Sequence, residues 1–197
     1  MLLTTVRARA LFCAMKTMTL AALIGLVFTA PAEAQTCPPV RDHSARFDAL
    51  VAQIQRAPDE TAARVLSSQL WEIWMFAPDD TAQSLLDHGM ERFRVYDFDR
   101  AIAAFDALIA YCPDYAEGYN QRAFANFLQQ DYALALKDLD LALERDPNHI
   151  AAMSGKALTL MELGRHEAGQ AVLREALKLN PWLVERHRLT EVPGEDI

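Results

Sequence analysis

The chain has 197 residues, with 27 acidic against 19 basic side chains and a net charge of −8. That length accommodates one ordinary domain and a short appendage. The acidic balance repels phosphate backbones and anionic lipid, which argues against nucleic acid and membrane surfaces as partners.

The first segment reads as a leader. Arg7, Arg9 and Lys16 precede an uncharged apolar run of 14 residues, Thr17 to Ala30, followed by Pro31 and the small-x-small pattern Ala32-Glu33-Ala34. A bilayer span needs about 20 apolar residues, so the run fits a cleavable signal peptide, residues 1–34, cut after Ala34. Translation starting at Met15 rather than Met1 would give the more compact signal. Losing this segment moves the net charge to −10 by removing Arg7, Arg9, Lys16 and Glu33, and leaves two of the three cysteines. The expected location is the periplasm or the exterior. There an even cysteine count permits one disulfide, Cys37 to Cys112, against the alternative of two free thiols.

The rest of the chain reads as helix, with apolar residues at spacings of three and four. Residues 35–81 hold a helical hairpin, SARFDALVAQIQ and ETAARVLSSQLWEIWMFAP, expected to be a degenerate repeat or an N-terminal cap. Trp71 and Trp74 are expected as core anchors on its apolar stripe. Beyond it, Pro113, Pro147 and Pro181 recur at intervals of 34 residues and close similar phrases, AFDALIAYCP, DLDLALERDP and VLREALKLNP. A fixed period with helix-turn-helix content predicts a solenoid, with units 82–115, 116–149 and 150–183. Each unit places a small residue where paired helices approach: Gly89, Ala123 and Ala157 on the first helix, and Ala101, Ala135 and Gly169 on the second. Residues 182–197 are expected as a short capping helix and a tail.

Few residues suggest chemistry. The histidines show no paired-ligand spacing, and there is no Gly-rich phosphate loop or nucleophile elbow, so neither metal, cofactor nor catalysis is expected. His166 stands at a repeat position that calls for packing, and Asp138, Asp140 and Glu144 read as a solvated helix face.

The units resemble tetratricopeptide repeats. The resemblance rests on Asp97-Phe98 and Asp131-Tyr132 before the second helices, Leu163-Gly164 at an inter-helix turn, YNQRA from Tyr119, and EALKLNP from Glu175. It covers residues 82 to about 181, departing from the family at Arg92 and Asn126, where an aromatic is usual, and at Leu108, where alanine is usual. It implies an all-α, right-handed α-solenoid of antiparallel helix pairs whose first helices line a concave groove. It also implies that Leu86, Met90, Phe93, Asn120, Phe124, Phe127, Ser154, Leu158 and Met161 occupy contact positions. The family's basic clamp for a partner's C-terminal carboxylate is missing, since Leu86, Ala151 and Gly155 stand at its positions. The resulting expectation is a non-catalytic module that binds a protein or peptide through an apolar groove; the alternative is a structural, self-associating repeat protein. Phe124, Phe127, Leu158 and Met161 either anchor a partner or pack beneath neighbouring helices and the segment Trp182 to Leu189.

Overall fold

The computed structural model describes residues 36–190, and the proposed leader lies outside them. Among the described residues eight α-helices follow one another: α1 (Ser44–Ile54), α2 (Glu60–Trp74), α3 (Asp80–Arg94), α4 (Phe98–Tyr111), α5 (Ala116–Leu128), α6 (Tyr132–Arg145), α7 (Ile150–Glu162) and α8 (His166–Leu179). In place of the expected capping helix there is a five-residue 3-10 turn, Val184–Arg188.

Local chemistry sets the helix ends. The Asp59 and Asp79 side chains accept from the backbone N–H groups of Ala62 and Ala82, capping α2 and α3. At the other end, α4, α6 and α8 each stop two residues before a proline. Cys112, Asp146 and Asn180 turn away from helical geometry there because the following ring of Pro113, Pro147 or Pro181 disfavours it.

The three tight turns between paired helices use a left-handed residue at Tyr96 (φ 60°), Gln130 (φ 65°) and Gly164 (φ 74°), again 34 apart. Only the last is glycine, so the first two turns carry a steric cost. Gln130→Gly is therefore expected to stabilise the chain by up to about 1 kcal/mol, read as a raised thermal midpoint.

Packing follows the small residues. A Cβ at Gly89 would lie 2.3 Å from the Phe105 ring, and one at Gly169 would lie 2.7 Å from the Ala157 carbonyl oxygen. Ala101, Ala123, Ala135 and Ala157 are all buried at the same kind of contact. Polar packing compensates one departure from the repeat pattern. Asn126 is buried and its Nδ2 donates to Asp138, which also receives two bonds from Arg122, at 2.8 and 2.6 Å. Asp138 is thus interior, contrary to the solvated-face expectation, and its carboxylate raises the pKa of the Arg122 guanidinium. His166 is exposed, and so does not supply the packing expected of it.

The N-terminal hairpin departs most from an in-line cap. Phe47, Leu50, Ile54, Leu70, Ile73 and Trp74 share a core with Ile150 at the start of α7, and Leu179, Trp182 and Leu183 pack against it. Hydrogen bonds reinforce the contact, from Gln55 Nε2 to the Lys178 carbonyl (2.8 Å), from Trp182 Nε1 to the Ile54 carbonyl (3.1 Å) and from Arg186 to Glu60 (2.9 Å). The segment leaving the hairpin is tied to the first repeat, where Met75, Ala77 and Cys37 pack with Phe105 and Cys112. Cys37 and Cys112 are joined in a disulfide with Cα atoms 5.1 Å apart. The hairpin therefore reaches from the first repeat to the last.

Candidate partner-binding cavity

The first helices α5 and α7 form one wall of a cavity of about 420 Å³. Phe124, Phe127 and Leu158 supply its apolar surface from that side. Across from them stand Leu70, Trp71 and Trp74 of α2, and the turn at Trp182 and Leu183 closes one edge. All three tryptophans of the chain line this space. Trp71 and Phe124 remain 43% and 48% exposed, so both offer surface to a ligand; Trp71 is a wall of the cavity as much as a core anchor.

Aromatic contacts hold these walls in place. Trp71 meets Trp74 edge-on at 5.9 Å, and Trp74 stacks on His149 at 4.3 Å and 13°. Phe124 stacks on Phe93 at 5.0 Å, and Phe93 meets Phe98 edge-on.

Beneath the cavity lies a buried polar group that periodicity did not reveal. His149 and Glu117 are 0% and 1% exposed, with Nε2 and Oε2 2.7 Å apart. The His149 Nδ1 accepts from the Ala152 backbone N–H, so the ring proton sits on Nε2 and is donated to Glu117. The same carboxylate receives Asn120 Nδ2 (3.2 Å) and Gln121 Nε2 (2.5 Å). Its place in the first turn of α5 adds the favourable end of the helix dipole. A pair this enclosed has no free atom to act as acid or base on a ligand; it fixes α2, α5 and α7 against one another. The pairing joins residues 32 apart, and only the fold brings them together.

The expected contact residues divide accordingly. Asn120, Phe124, Phe127, Ser154 and Leu158 line the cavity. Leu86 does not: it is fully buried between the helices of the first repeat, packed with Phe105 and Leu108, and presents nothing to a partner. Met161 is likewise in the core of the last repeat, 8% exposed, where it packs with Ala157 and Leu173 beside Gly169. Phe93 backs Phe124 from outside the cavity, and Met90 lies on a separate surface near Asp87 and His88. Among the described residues no cluster of three or more potential metal ligands occurs.

Tetratricopeptide-repeat family models match residues 86–150 and 126–181, the stretch that builds the three helix pairs. Residues 86–181 are tetratricopeptide repeats. A tetratricopeptide repeat-containing protein of Rhizobium etli is 29% identical over 122 residues, covering 62% of this chain and 60% of that one. Sperm-associated antigen 1 of Mus musculus is 30% identical over 93 residues, 47% of this chain and 10% of its own length. The chain thus spans three fifths or less of the curated relatives it matches. Among solved structures, the first repeat domain of Spaghetti bound to the HSP90 peptide SRMEEVD superposes with a TM-score of 0.53 at 23% identity, over 54% of this chain and 85% of that one. The Arabidopsis OM64 domain gives 0.54 at 20% identity, over 55% and 90%. At those identities the likeness concerns the fold. The tetratricopeptide chain described here adds to that fold a hairpin that faces its own first helices.

Proposed function

We propose that this tetratricopeptide-repeat protein is a non-catalytic binding module of the periplasm that takes a short, extended, apolar segment of a partner protein into the cavity between α2, α5 and α7. The observation that carries this reading is the cavity itself, about 420 Å³, walled by Trp71, Trp74, Phe124, Phe127 and Leu158, with polar side chains such as Asn120 and Ser154 set among them. A partner helix is about 10 Å across, and α2 with the Trp182 turn takes the place it would need. An extended segment needs less width, and its side chains can enter one at a time.

Charge narrows the partner further. Spaghetti takes a peptide ending in Glu-Glu-Val-Asp. Here Ala151 and Gly155 line the cavity where a basic clamp would stand, and Arg64, the cation in the lining, is bonded to Glu60. A neutral apolar segment suits this lining better than a carboxylate-rich one. The leader expected at residues 1–34 would agree with an oxidising compartment, as does the disulfide.

Phe124→Ser tests the site. The side chain is half exposed, so its loss should cost no more than about 1 kcal/mol in thermal unfolding, chiefly the Phe93 stack. Capture of periplasmic partners, read by cross-linking and mass spectrometry, should be lost. A destabilised variant that still captures every wild-type partner would place Phe124 in the scaffold. Self-association is the second reading, favoured by Tyr96, 79% exposed on a left-handed turn beside exposed Val95. A mass that grows with protein concentration would support it.

A further inference from the structure

Asn120 and Ser154 occupy the same place in successive repeats, 34 residues apart on α5 and α7. The equivalent residue of the first repeat, Leu86, is apolar and fully buried. Where this column of residues lines the cavity, leucine gives way to two polar side chains, each only 6% exposed. Both carry an unused oxygen. Asn120 spends its Nδ2 on Glu117, and no donor among the described residues bonds its Oδ1. Ser154 Oγ likewise has no partner among the described residues.

A helical serine has an easy local remedy, donation to the carbonyl four residues back. Thr159 takes it, bonding the Gly155 carbonyl at 2.7 Å, whereas Ser154 does not. Ser154 Oγ, buried and left unpaired, burdens the fold, and alanine at 154 would remove that burden. Asn120 is moreover held in one orientation, because the Glu117 carboxylate that receives its Nδ2 is itself fixed by His149 and Gln121. Two oxygens at the floor of an aromatic cavity, one of them locked in place, are groups prepared for a ligand.

We propose that Asn120 and Ser154 determine what this cavity accepts: an uncharged peptide segment in which a bulky apolar side chain fills the aromatic space while a neighbouring backbone N–H donates to Asn120 Oδ1 or Ser154 Oγ. This rests on the peptide-binding reading of the cavity and adds to it a requirement for a hydrogen-bond donor next to the apolar group. Hydrocarbon bulk alone would leave both oxygens unpaired and bind less well.

The test uses the full chain and two blocked, uncharged probes: N-acetyl-Leu-Phe-Leu-amide and its analogue methylated at the backbone nitrogens. Binding is read from the fluorescence of Trp71, Trp74 and Trp182, which all line the site. Wild type should bind the unmethylated probe about tenfold more tightly, the order expected for one good buried hydrogen bond. Ser154→Ala and Asn120→Leu together should bind both probes alike. Ser154→Ala alone should weaken the unmethylated probe while leaving the thermal midpoint unchanged or higher, an opposition that a purely structural residue would not show.

If the double variant keeps the wild-type preference, the inference is overturned. If Phe124→Ser loses the probe while Ser154→Ala and Asn120→Leu bind it as wild type does, the cavity reading stands and the polar pair is excluded. If wild type binds neither probe, both fail together.

Discussion

Replacing His149 with alanine should lower the unfolding free energy by about 3–5 kcal/mol, the combined order of a buried acceptor left short of a donor, a lost helix cap and a lost aromatic stack. Three losses coincide at this residue. The Glu117 carboxylate, 1% exposed, loses the Nε2–H donor at 2.7 Å and keeps only Asn120 and Gln121. The N–H of Ala152 loses the ring nitrogen that caps α7, worth about 1 kcal/mol. Trp74 loses its stacking partner, worth about 0.5–1.5 kcal/mol for an aromatic pair. Because these partners lie on α2, α5 and α7, the change should also loosen the cavity. Denaturant unfolding of His149→Ala, Glu117→Gln and the double variant measures it. The double variant should cost clearly less than the two singles added, since removing both partners leaves no orphaned charge. Simple additivity, or a His149→Ala cost below about 1 kcal/mol, would show that the pair does not hold the hairpin to the repeats.

The second large effect is expected from the disulfide. Cys37 and Cys112 are 75 residues apart in sequence, and a cross-link of that span restricts the unfolded chain by roughly 4 kcal/mol in the chain-entropy account, an upper figure. Cys112 ends α4 and is nearly fully buried, so the bond fastens the short irregular segment before α1 to the first repeat. Oxidised and reduced chains compared by denaturant unfolding should differ by a large fraction of that amount, with Cys37→Ser behaving like the reduced chain. Thiol titration of the denatured, unreduced protein should find neither Cys37 nor Cys112 reactive. Two reactive groups from this pair would exclude the bond.

The repeat architecture was legible in the sequence because it is written in local, periodic terms. Prolines at 113, 147 and 181 stop second helices through their own backbone sterics, and Gly89 and Gly169 mark close helix contacts by lacking a side chain. Neither effect needs a distant partner to be read. Several cavity residues were legible for the same reason: Asn120, Phe124, Phe127 and Leu158 lie on the inward face of first helices at repeat positions.

Other features were decided only in three dimensions. Leu86 and Met161 share repeat positions with Asn120 and Phe127, yet both are buried within their own helix pairs, because what covers a repeat depends on its neighbours rather than on its register. The hairpin's return onto α7 and the Trp182 turn joins different units, while the pairing of His149 with Glu117 and the burial of Asp138 against Arg122 join separate segments of one unit. Sequence alone thus determined helices, period and the direction in which each side chain starts. Which of those side chains meet one another, and which are left open to a partner, was settled by the packing of the N-terminal hairpin across the repeats. That arrangement rests on contacts more than 100 residues apart, such as Gln55 with Lys178 and Trp182 with Ile54, which no local pattern encodes.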